Sequence, residues 1–112
     1  MKKILITAIA AAAFTGCAYN MPTQPAQITG AYVNSMKYES FPCERLTAEL
    51  DSINRRESQL VIAQEQRIKT SQTQSIWTGY GQGDGVEASE LAVVRGEKEA
   101  VTKASAIKKC PL

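Results

Sequence analysis

Four glycines, Gly79, Gly81, Gly83 and Gly85, alternate with other residues over seven positions, a spacing that no helix or ordinary strand interior accommodates. The string divides the chain into two segments that must each find a partner for an apolar stripe. In the first, Leu46, Leu50, Ile53, Leu60 and Ile68 recur at spacings of three and four or their sums, with Glu57 and Gln64 where the stripe lapses. Arg45, Glu49, Asp51, Arg55, Arg56, Glu65, Arg67 and Lys69 stand between them in mixed sign, which describes a solvated helix face. Ser40 offers an N-cap, Pro42 suits a first turn, and Glu39 and Glu44 fit the positive end of a helix dipole. The spacing predicts a helix over about 41–69. Thr70-Ser71-Gln72-Thr73-Gln74-Ser75, mostly poor helix formers, then opens a joint over about 70–84.

Asp84 stands three residues before Glu87, the pattern of a capping box, and predicts a second helix over about 85–109. Val86, Leu91, Val93, Val94, Ala100, Val101, Ala104 and Ile107 form its stripe, with Gly96 inside it; Lys108 and Lys109 suit a helix C-terminus, and Pro111 stops it. Two such helices bury their stripes against each other, so the expected fold is all-α, an antiparallel two-helix hairpin. A coiled-coil seam in the first helix lasts about three heptads and is interrupted.

The N-terminus reads as an export signal. Met1-Lys2-Lys3 is a positive start, and Ile4 to Phe14 is an apolar run of eleven residues broken by Thr7, too short for a bilayer span of about 20. The run ends in Phe14-Thr15-Gly16-Cys17, which resembles the lipobox of bacterial lipoproteins: a small residue directly before a cysteine that is acylated and becomes the first residue of the mature protein. The family most often has Leu where this chain has Phe14. The resemblance implies a signal peptide over residues 1–16, a triacylated Cys17 and membrane anchoring without a protein span. It also implies, through Ala18 in place of an Asp, sorting to the outer membrane, with the protein on the periplasmic side.

Removal of residues 1–16 leaves 96 residues, room for one small domain, and takes two of the 13 Lys and Arg, leaving 11 against 11 Asp and Glu. A formally neutral chain gives no electrostatic case for a nucleic-acid partner. Export to an oxidising compartment, with Cys17 acylated, leaves Cys43 and Cys110 as an isolated pair, and a disulfide is their simplest use. The pairing agrees with the hairpin, since Cys43 opens the first helix and Cys110 closes the second. Equal helix lengths between the bridge and the joint then require 70–83 to be irregular or folded over the hairpin end.

Residues 17–39 contain Pro22, Pro25, Gly30 and many small polar residues, with no charge before Lys37. They read as a flexible tether, with an extended piece at Ala31-Tyr32-Val33, that holds the hairpin about 25 Å from the lipid. Tyr19, Tyr32 and Tyr38 either rest near headgroups or pack on the start of the first helix. Trp77 and Tyr80 sit in the glycine-rich joint; they either fold over the open end of the core or anchor a partner protein or a membrane.

No histidine occurs, which removes the commonest general base and metal ligand, and the carboxylates fall on solvated faces. The glycine string lacks G-x-G-x-x-G spacing and no Gly-Lys-Ser/Thr follows. Ser105-Ala106-Ile107-Lys108 matches S-x-x-K without its companion strings and lies at the C-terminus. Catalytic residues, metal ligands and a cofactor are therefore not expected. Cys43-Glu44-Arg45-Leu46, the Gly/aromatic joint, Ala88-Ser89-Glu90-Leu91 and Gly96-Glu97, followed by a late cysteine, resemble the small helical-hairpin lipoproteins of the bacterial outer membrane. The expected role is a non-enzymatic interaction or structural one at the periplasmic face of the outer membrane with an envelope protein, and the incompletely buried two-helix stripe also allows self-association. The other expectation is a membrane-active tip at Trp77 and Tyr80.

Overall fold

The computed structural model describes residues 19–111. The signal peptide, Cys17 and Ala18 lie outside the described residues. Three helices follow a single 3-10 turn at Pro25–Gln27: a short α1 at Met36–Glu39, then α2 at Cys43–Thr78 and α3 at Val86–Lys108. The two long helices run antiparallel, with Cys43 and Cys110 joined by a disulfide at a Cα separation of 5.5 Å. Along the pair, Glu57 meets Arg95 and Lys98, Arg56 meets Glu90, and Arg67 meets Glu87, so the register holds from one end of α3 to the other. The all-α, disulfide-closed hairpin expected from the stripes is the architecture found.

The core is the seam between α2 and α3. Leu46, Ile53 and Leu60 bury against Leu91, Val94, Ala100, Val101 and Ala104. Tyr38 of α1 joins them at the disulfide end, its ring perpendicular to that of Phe41, and the Arg45 guanidinium lies over the Phe41 ring 3.7 Å from its centroid. Val86, Val93 and Ile107 of the expected α3 stripe are exposed instead, and Gly96 and Ser105 take buried places.

The helix starts differ from the sequence reading. Pro42, in extended backbone geometry, precedes α2, while Ser40 ends α1 and its hydroxyl turns back to the Lys37 carbonyl. Proline has no N–H to leave unsatisfied and sets the chain for a helix start, so no capping side chain is needed. At α3 the preceding residue is Gly85 and no side chain caps it; Asp84 and Glu87 are engaged elsewhere.

The largest difference is the length of α2. It continues through the Thr/Ser/Gln run to Thr78, nine residues past the expected end, and stops at Gly79, whose φ of 73° is the left-handed geometry that a C-terminal glycine supplies. Thr70, Thr73 and Thr78 return their hydroxyls to carbonyls four residues back. At about 1.5 Å per residue, α2 overhangs the Arg67–Glu87 contact by about 16 Å. The seven residues Gly79–Gly85, which could span about 23 Å at full stretch, cover that distance with left-handed glycines at Gly79 and Gly83. Equal helix lengths are therefore not required: the joint runs back along the overhang. Ser71, fully buried, marks the contact by accepting the Gln82 amide at 3.1 Å.

The expected tether is also packed. From Tyr19 the chain runs along the hairpin as a strap towards the disulfide end. Tyr19 bonds Gly79 and Gly81 (3.3 and 2.7 Å) and forms an isolated parallel bridge with Tyr80; the Asn20 carbonyl accepts the Gly83 amide at 2.7 Å. Farther on, the Ala31 amide donates to the Ala92 carbonyl of α3 at 2.9 Å. This crossing explains Gly96: a Cβ there would collide with the Ala31 carbonyl and press on Val33.

Candidate functional site

The strap is locked to the hairpin by polar side chains at the points where the α2 stripe lapses. Gln64, fully buried, donates to the Thr23 carbonyl at 2.8 Å and to Asp84 at 2.9 Å. Asp84 also accepts from the backbone amide and the hydroxyl of Thr23, both at 2.6 Å. These donors favour its charged form, the Thr23 hydroxyl first, and hold its carboxyl below the usual range despite partial desolvation. Next to it Arg67 pairs with Glu87 through Nε at 3.0 Å and Nη2 at 3.2 Å, and this paired arginine lowers the Glu87 carboxyl in the same way.

Arg95 of α3 is the second latch. Its guanidinium donates to the Pro25 and Ile28 carbonyls at the two sides of the 3-10 turn and pairs with Glu57 at 3.6 Å. Glu57 also meets Lys98 at 3.4 Å. The polar residues of the seam therefore join three segments, α2, α3 and the strap. An open groove beside this latch carries two carboxylates, Glu57 and Glu99, among Arg95, Lys98 and Lys103, and Glu57 is engaged by two cations. No group of three His, Cys, Asp or Glu side chains is placed to hold a metal ion among the described residues.

The end opposite the disulfide carries the aromatic residues singled out from the sequence. Trp77 is 84 % exposed and Tyr80 55 %, so neither folds over the core. Tyr80 is fixed by its backbone, which donates to the Thr78 hydroxyl at 3.2 Å and bridges to Tyr19. The strap brings Tyr19, 65 % exposed, to this same end, and Ile76, 79 % exposed, occupies the last turn of α2 beside Trp77. Of the tether tyrosines, Tyr38 packs on the helix start, while Tyr32 is exposed along the strap.

Cys43 and Cys110 are thus brought together, Trp77 and Tyr80 share the far end, and Cys17 lies outside the described residues. Sequence reasoning missed Tyr19 and Ile76 at the tip and the latch of Gln64, Asp84 and Arg95. A signal for the latch was present: Glu57, Gln64 and Ser71 fall at seven-residue intervals on the seam of α2, and Gly96 interrupts the stripe of α3. Nothing local marks Tyr19 as a tip residue, because its place follows from the path of the strap.

No helix among the described residues is long and apolar enough to cross a membrane. No protein-family model, curated protein or solved structure matches this chain.

Proposed function

We propose that the chain is a lipid-anchored, non-enzymatic protein of the bacterial cell envelope, held through Cys17 on the periplasmic side of the outer membrane. There it presents a stapled helical rod to an envelope partner. The observation that carries this reading is Phe14-Thr15-Gly16-Cys17 after a positively charged start and an eleven-residue apolar run. A disulfide between helix ends fits an exported chain, since such bonds persist in oxidising compartments. The exposed apolar residues Ile62, Val93 and Ile107 on the long helices are where a partner, or a second copy, would pack.

Cys17→Ser tests the anchor. It moves the chain from the membrane fraction to the soluble envelope fraction under this proposal. A wild-type chain recovered in the soluble fraction contradicts it.

A further inference from the structure

The path of the strap places the anchor. Tyr19 bonds Gly79 and Gly81 at the aromatic tip, and Cys17 precedes Tyr19 by two residues, within about 7 Å along the chain. Whatever is attached to Cys17 therefore lies within that reach of Tyr19, at the aromatic end of the rod, while the Cys43–Cys110 end is about 50 Å of α2 away.

The same end is uncharged. No Asp, Glu, Lys or Arg occurs between Lys69 and Asp84, and none occurs in the strap from Tyr19 to Met36. Lys69 is the last charged residue of α2, which extends about 14 Å beyond it to Thr78. The headgroup layer on each side of a bilayer is about 5–8 Å thick. The tip can therefore enter that layer without carrying an ionised side chain out of water, the step that opposes insertion most strongly. Tryptophan and tyrosine are the residues that concentrate at this depth, because their rings combine an apolar body with a polar edge.

Resting on the lipid-anchored reading above, we propose that the tip formed by Tyr19, Ile76, Trp77 and Tyr80 is a membrane-docking surface. It seats in the headgroup region of the bilayer that holds the Cys17 lipid, and the rod stands end-on with its disulfide end farthest from the membrane. The acyl chains and the tip form one composite contact, and the strap hydrogen bonds keep the two parts together. Charge plays no part in this contact, so it is insensitive to salt.

Trp77 is the single tryptophan, which makes the test direct. Acylated full-length mature protein is reconstituted into phosphatidylethanolamine/phosphatidylglycerol vesicles, its acylation checked by intact mass, and its tryptophan emission and acrylamide quenching compared with the Cys17→Ser chain free in buffer. The proposal predicts emission shifted to shorter wavelength, loss of acrylamide quenching, and quenching by lipids brominated near the headgroup, all unchanged at high salt. A second variant, Trp77→Phe with Tyr32→Trp, moves the reporter to an exposed strap position beside Glu99 and Lys103 and is predicted to stay fully quenchable by acrylamide. Acylated protein whose Trp77 remains as accessible as in buffer overturns the docking tip and leaves the anchor standing. Equal shielding of both reporters overturns the end-on orientation. An unacylated mass overturns both the anchor and the docking surface built on it.

Discussion

At the scale of single residues, Gly96 is the sharpest witness to the strap. In a solvated helix, replacing an interior glycine by alanine stabilises by roughly 1 kcal/mol. Here the new methyl meets the Ala31 carbonyl, so Gly96→Ala is predicted to destabilise instead, by about 1–3 kcal/mol, the usual cost of overpacking. Urea unfolding decides the sign: a gain in stability would mean that the strap does not cross α3 there. Asp84 supplies a pH dependence. Its folded-state carboxyl is lowered, so its contribution is fully present above the unfolded value of about 3.9 and is lost as pH falls through the lower folded value. Protection factors of strap amides, Thr23 among them, taken relative to the intrinsic exchange rate at each pH, are predicted to fall over that window in the wild type. In Asp84→Asn protection starts lower and changes less. The residues of this latch were visible in the sequence as polar lapses, Glu57 and Gln64 in the stripe of α2. Their partners were not visible, because Thr23 and Asp84, which Gln64 bonds, and Arg95 and Lys98, which meet Glu57, are distant in sequence and no local pattern records such pairings.

At the scale of elements, the two stripes and the glycine string contained the hairpin, since apolar periodicity and helix-breaking glycines are local properties. Cys43 and Cys110 at opposite ends of the two segments agreed with it. The end of α2 was not legible. Thr70 to Ser75 have weak intrinsic helix preference, but the overhang gains tertiary contacts from the returning joint and strap that override it, with Ser71 buried between them. Proline separates the two accounts. Thr73→Pro is predicted to cost about 3 kcal/mol and to lower far-UV helical signal, whereas an irregular joint would tolerate it. The tether was misread for a related reason. Its Pro, Gly and small polar residues suit a flexible chain, and they suit equally a strap that satisfies its backbone on a helix surface.

At the scale of the molecule, a two-helix seam is a thin core, and the disulfide and the strap each extend it. Closing a sequence separation of 67 residues stabilises by about 4 kcal/mol when the unfolded chain loses that loop entropy. Cys43→Ser with Cys110→Ser is therefore predicted to lose most of that amount in urea unfolding, with helix content retained in the folded state. The strap gives the rod a direction: its N-terminal end lies at the uncharged aromatic tip, and its stapled end is remote from any lipid on Cys17. The mature chain proposed above is anchored at Cys17 and closed by Cys43–Cys110. The most direct test is the intact mass of protein extracted from the membrane fraction, before and after reduction and alkylation. The account predicts a chain from Cys17 to Leu112 carrying three acyl chains, with two thiols that react only after reduction. An unacylated precursor, or a chain whose Cys43 and Cys110 react without reduction, would contradict it.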